Sequence, residues 1–195
     1  MELDDPGPRR PSEGPDRAPS IGDYEDFTLM ALDPTELETL VGDRGECVFN
    51  WSTSQGYPVG VVMAYVYRHG SFWTNCTATR RRVAALRSRP RASVVVSKDG
   101  KMATYKGEVV IHSSGDADWD QVKQWFYAAL SGADREPDNP FLRKLEAFLD
   151  GPHQVIIETP ATLVVTFDFR RFSSITQAAA GVPERPEISQ LRRPV

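Results

Sequence analysis

A chain of 195 residues with 40% hydrophobic and 26% charged residues lies in the ordinary globular range and is long enough to bury one core. Its formal net charge of -4 at pH 7 excludes a protein built mainly to hold a polyanion, because such domains carry a broad excess of Lys and Arg. The longest apolar runs, such as PVGVVMAYVY over residues 58–67, are strand-length, well short of what a membrane-crossing helix needs.

Residues 1–23 hold five prolines in their first 19 positions and no apolar stretch of the kind a secretory signal carries, so they read as a disordered leader. Domain-forming sequence follows over residues 24–176. LDPTELETLVG opens it with a helix signature: Asp33 at the cap, Pro34 at the first helical place, Glu36 three residues after the cap, and a stop at Gly42. Strand-like runs come next over 47–53, 58–67, 71–75, 92–97, 102–112, 154–159 and 162–169. The turns SQGYP, RHG and KDGK are short and contain glycine, as antiparallel hairpins require.

Two helices interrupt the strands late in the chain. Residues 116–130, with Asp118 as cap, place Trp119, Val122, Trp125, Phe126, Ala129 and Leu130 on one face. DNPFLRKLEAFLDG has Asn139 as cap and Pro140 behind it, and Phe141, Leu142, Leu145, Phe148 and Leu149 recur at the spacing of a buried stripe. Mostly antiparallel strands with helices added at the periphery give an α+β fold with a partly closed barrel. Residues 177–195 return to proline and charge and read as a C-terminal tail.

Positive charge gathers at one place, TATRRRVAALRS (residues 77–88), where a short helix capped by Thr77 or Thr79 turns Val83 and Leu86 to the core. Arg80 and Arg82 flank that buried face and Arg81 points nearly opposite. Three cations in a first helical turn oppose the macrodipole and the unpaired N–H groups, by about 0.3–1 kcal/mol each, and an anion would resolve the conflict. A phosphate clamped by guanidinium forks, with hydroxyls from Thr74, Thr77 and Thr79, meets that need. The bland alternative is a solvated basic face.

The order of these segments resembles a known family: short helix, strand, Gly-Tyr-Pro turn, strand, SFWTN, then RVAALRSRP, ASVVV and YKGEVVI. It is similar to the pyridoxamine 5'-phosphate oxidase-like FMN-binding split barrels, flavin/deazaflavin-dependent reductase branch, over about residues 30 to 172. The resemblance implies an α+β, mostly antiparallel split β-barrel that dimerises, with FMN or the deazaflavin coenzyme F-420 held between subunits. It makes Arg82 the phosphate-binding residue, with Arg80 beside it and Arg81 as the other candidate, and Thr74 and Asn75 the polar pair near the flavin. Met63 and Ala64 would lie along the ring by backbone contact, Trp73 and Thr79 nearby, and Met102 on the partner-facing strand. The segment between Asn75 and Arg82 is six residues, longer than in the oxidases themselves, and the oxidase's substrate-binding Arg-Leu pair before a proline has no counterpart.

Other chemistry finds little support in the residues. His69, His112 and His153 stand at no metal-ligand spacing, and as lone histidines they read as solvent-facing; His69 or His112 would serve only if haem were the ligand. Cys47 and Cys76 are 29 positions apart with no C-x-x-C, which fits reduced thiols and a cytoplasmic location. No protein nucleophile is indicated, as suits a site whose cofactor carries the electrons. The sequence therefore points to a homodimeric flavin-dependent oxidoreductase acting on a small molecule, or to a flavin or haem carrier of the same fold. Neither nucleic acid nor membrane is an expected partner.

Overall fold

In a computed structural model, residues 27–181 are described. The 1–23 leader and positions 182–195 of the expected tail lie outside the described residues. Residues 30–169 form one compact unit, and the other described residues fall in a second.

Local signals set the first helix, α1 (Pro34–Val41). The Asp33 carboxylate accepts from the Glu36 amide at 2.8 Å, and the Glu36 carboxylate accepts from the Asp33 amide at 3.0 Å, so the reciprocal cap is complete. Strands β1 (Arg44–Ser52), β2 (Pro58–Arg68) and β3 (Ser71–Thr77) follow as a meander. Between β2 and β3, His69 and Gly70 both take positive φ, as a two-residue hairpin turn demands. Asp99 and Gly100 do the same between β4 (Arg91–Lys98) and β5 (Lys101–Glu108).

The expected single strand over 102–112 is instead two, β5 and β6 (Val110–Ser113). The division marks a change of partner: β5 pairs with β4, the Val109 amide adds a further rung to the Pro90 carbonyl at 2.6 Å, and β6 pairs with β7 (Gln154–Pro160). Helices α3 (Trp119–Ser131) and α4 (Pro140–Leu149) then lead to β7 (Gln154–Pro160) and β8 (Leu163–Asp168). A helix that the sequence reading missed, α5 (Phe169–Ala179), continues the chain across the expected domain end at 176.

All eight strands join one antiparallel sheet in the order β6-β7-β3-β2-β1-β4-β5-β8. Three strands separate β3 from β5, yet the Phe72 and Tyr105 rings lie 4.7 Å apart, so the sheet curls back on itself. Gly107 of β5 makes this approach possible, because a Cβ there would fall on the Pro160 carbonyl oxygen of β7. The core fills the curl with alternate residues of each strand, among them Phe49, Met63, Tyr65, Phe72, Val94, Tyr105 and Ile157. A second cluster packs Val122, Phe126 and Tyr127 of α3 against Val66, Trp73 and Ile156.

Three local expectations need correction. The arginine helix, α2, spans Arg81–Ser88, and its N-cap is Arg80 with no side-chain cap, because Thr77 still belongs to β3. Asp118 precedes α3 but caps nothing, its carboxylate being engaged 2.9 Å from His112 Nδ1. Asn139 does cap α4, but that helix buries no residue: Phe141 and Phe148 are 69% and 79% exposed. Its periodicity made the helix amphipathic without saying what covers the apolar face.

Candidate functional site

The site lies where two neighbouring strands part. β2 and β3 pair only at Val66↔Trp73, Tyr67↔Phe72 and Arg68↔Ser71, beside their tight turn. Farther out, β2 stays on β1 as far as Pro58, and β3 stays on β7 as far as Thr77. Their facing edges are therefore unpaired. In an antiparallel hairpin with a two-residue turn, the hydrogen-bonding pairs are Arg68/Ser71, Val66/Trp73 and every second position beyond. By that alternation Ala64 and Val62 on one edge, and Asn75 and Thr77 on the other, direct their N–H and C=O groups into the gap.

The gap is a cleft of about 320 Å³, walled by Val62, Met63 and Ala64 of β2, Asn75, Cys76 and Thr77 of β3, and Gln154 at the start of β7. Arg80 and Arg82 close one end. Arg82 is held by its surroundings: Nη1 donates to Met63 Sδ at 3.0 Å, and the guanidinium carbon lies 5.6 Å from the Trp51 ring centroid. None of Arg80, Arg81, Arg82, Arg87 and Arg89 forms an ion pair among the described residues. The cleft thus presents two guanidiniums and the start of α2, all suited to an oxyanion.

Cys76 faces this charge, yet burial raises its thiol above the ordinary value, while Arg82 and Arg80 pull the other way. Desolvation is the larger effect, so the thiol stays protonated and serves as wall.

The structure brings Met63, Ala64, Asn75, Arg80 and Arg82 together around one cleft and leaves five other sequence candidates outside its lining. Trp73 points to the α3 side of β3, where its indole donates to the Arg68 carbonyl at 3.1 Å and stands edge-on to Trp125, ring centroids 4.9 Å apart. Thr74 is fully buried on the barrel side, and its hydroxyl has no hydrogen-bond partner. Thr79 is exposed, 3.5 Å from the Thr77 hydroxyl. Arg81 lines a different cleft with Trp51 and Tyr57, and Met102 lies on β5 opposite Ser97 and Phe167.

Gln154 was not singled out in the sequence. It reaches the site only through the long-range pairing Thr77↔Gln154, for which the sequence carries no local signal. His112 was expected to face solvent, but it is buried beneath Trp73 with one ring nitrogen 2.9 Å from Asp118 and the other 3.2 Å from Glu158. Both nitrogens face carboxylates, so His112 fastens β6, β7 and the start of α3.

No family model matches the chain, and no curated protein matches it. Solved structures do resemble it. A conserved hypothetical protein of Mycobacterium tuberculosis superposes with a TM-score of 0.60 at 14% identity, over 81% of this chain and 93% of that one. HutZ, a haem storage protein of Vibrio cholerae, gives 0.51 at 13% identity, over 70% and 95%. A pyridoxamine 5'-phosphate oxidase-related, FMN-binding protein of Nostoc punctiforme gives 0.50 at 13% identity, over 64% and 74%. With its curled antiparallel sheet and peripheral helices, the chain has the α+β split β-barrel fold of the pyridoxamine 5'-phosphate oxidase-like, FMN-binding proteins.

Proposed function

We propose that the protein is a homodimeric flavin-dependent oxidoreductase that uses FMN or the deazaflavin coenzyme F-420 and acts on a small organic molecule. The observation that carries this reading is the cleft between the parted edges of β2 and β3, with its cationic end at Arg80 and Arg82. A planar ring edged with hydrogen-bonding groups fits a slot bordered by the backbone groups of Val62, Ala64 and Asn75. A phosphate on the same molecule fits the arginines.

Bound there, a flavin supplies hydride transfer, which the protein's own side chains do not provide. The chain's residues position it. Arg80 and Arg82 hold the phosphate by charge-assisted hydrogen bonds, the Asn75 amide and strand backbone fix the ring's polar edge, and Val62 and Met63 keep water from its face.

The dimer rests on the outer face of the sheet. Val62, Val48, Val95, Thr104 and Val165 stand in one register row across five strands, and Val62, Val48 and Val165 are exposed. Val62 also lines the cleft, so a second copy seated on this row would complete the cleft wall. Met102 shares the face, two residues from Thr104, and reaches a flavin only across such an interface. Cys47 and Cys76 are free thiols, in keeping with a cytoplasmic setting.

The test is an FMN and F-420 titration of the purified protein, followed by anaerobic reduction and a screen of electron acceptors. Arg82→Glu should weaken flavin binding by more than about tenfold, the loss of one charge-assisted contact at 1.5–3 kcal/mol. No affinity for either flavin would overturn the proposal, and a bound flavin that no donor reduces would leave a carrier in place of an enzyme.

A further inference from the structure

Arg81 stands apart from the flavin cleft and raises a question of its own. At the first position of α2 it opposes the helix dipole, it has no acidic partner among the described residues, and it belongs to another cavity. That cavity, about 670 Å³, lies between α2 and the β1–β2 turn, within the size range of small-ligand sites. Its floor on α2 is Ala84, Ala85 and Ser88, which fall with Arg81 on one helical stripe and leave room above the backbone. Opposite stand two aromatic faces, Trp51 and the exposed Tyr57. Ser54 and Gln55 at the turn add polar groups.

Arg89 marks the far end of the stripe, eight residues or about 12 Å of helical rise from Arg81. Its position at the C-cap already suits a cation. Arg81 stands at the opposite end, where the dipole favours an anion. The cavity thus offers one exposed guanidinium with no carboxylate paired to it among the described residues, a small-residue floor and a pair of rings, which together suit a planar aromatic group bearing an anion.

We infer that this cavity is a second ligand site, for a nucleoside phosphate. The phosphate binds at Arg81, and the base stacks against Trp51 and Tyr57 over Ala84 and Ala85. Trp51 also lies 5.6 Å from the guanidinium carbon of Arg82, which lines the flavin cleft, so this ring links the two sites. The nucleotide has two possible sources, a free ligand or the adenylate half of a flavin dinucleotide.

The probe is 5'-AMP, measured by equilibrium dialysis and by tryptophan fluorescence in the presence and absence of saturating FMN. AMP should bind in both conditions, with a fluorescence change absent in Trp51→Phe. Arg81→Glu and Ala84→Leu should each weaken AMP binding by about tenfold or more. Tyr57→Ala, an exposed change that threatens no core contact, should weaken AMP binding and leave FMN affinity alone. If the source is the dinucleotide, FAD should bind more tightly than FMN and lose that advantage in Ala84→Leu.

Competition between AMP and FMN would place the nucleotide in the flavin cleft and overturn the inference, as would the absence of AMP and FAD binding. The AMP arm without FMN stands whether or not the protein binds flavin, so failure of the oxidoreductase reading is separately visible.

Discussion

Replacing Gly107 by alanine tests whether the curl of the sheet depends on one missing side chain. The new Cβ would fall inside the van der Waals surface of the Pro160 oxygen, 3.1 Å from the carbonyl carbon and 3.7 Å from the Thr159 methyl. Both near atoms at Pro160 are backbone, and both strands are paired on their other sides, β5 to β4 and β8, β7 to β3 and β6. No rotamer change relieves the overlap. Overpacking costs about 1–3 kcal/mol, and immobile backbone argues for the upper end, about 3 kcal/mol. At about 2–4 °C per kcal/mol for a chain of this size, the melting midpoint should fall by about 6–12 °C. Gly56→Ala is the control, since φ is positive there but nothing lies within 4 Å of the added methyl, and it should cost only about 1 kcal/mol. Thermal denaturation followed by circular dichroism compares them. A Gly107→Ala midpoint no lower than that of Gly56→Ala would refute the argument that this contact closes the barrel.

Two further outcomes follow from burial and exposure. Val62→Asp places a charge in the exposed aliphatic row and should convert a dimer to a monomer by analytical ultracentrifugation, with the circular dichroism spectrum unchanged; a dimer that persists would remove that face as the interface. Burial pushes the Cys47 thiol up from 9.0 to about 12, and the Tyr105 and Tyr127 phenols up from 10.0 to about 12. The native state therefore favours the neutral forms, so their contribution is complete below about pH 9 and is lost as pH rises toward 12. The urea midpoint should decline progressively across that window, and a flat profile would contradict it.

Much of the fold was legible because its signals are local. The Asp33–Glu36 cap, the His69-Gly70 and Asp99-Gly100 turns and the Asn139 cap each involve neighbours in sequence, and all are present. What failed depended on distant partners. β5 gives way to β6 where the chain passes from β4 to β7, and nothing in the apolar run itself announces that change of partner. The phases of Trp73 and Thr74 depend on which face of β3 meets α3, and the coverage of α4 depends on what packs against it. In the site, the arginine cluster was visible as misplaced charge, and the structure divides it: Arg80 and Arg82 on one side of α2, Arg81 on the other. Gln154 could not be found without the β3–β7 register.

The early parting of β2 and β3 has a consequence for stability as well as for binding. A hairpin normally zips to its end, whereas this one holds its last rungs open, so the protein carries an unfinished piece of sheet at the proposed site. A ligand that lies between the two edges takes the place of the absent rungs, and its binding energy adds directly to the free energy of the native state. On the proposed reading, cofactor recognition and the completion of folding would be one event at this position. The barrel elsewhere is closed by its own side chains; here a ligand would finish it.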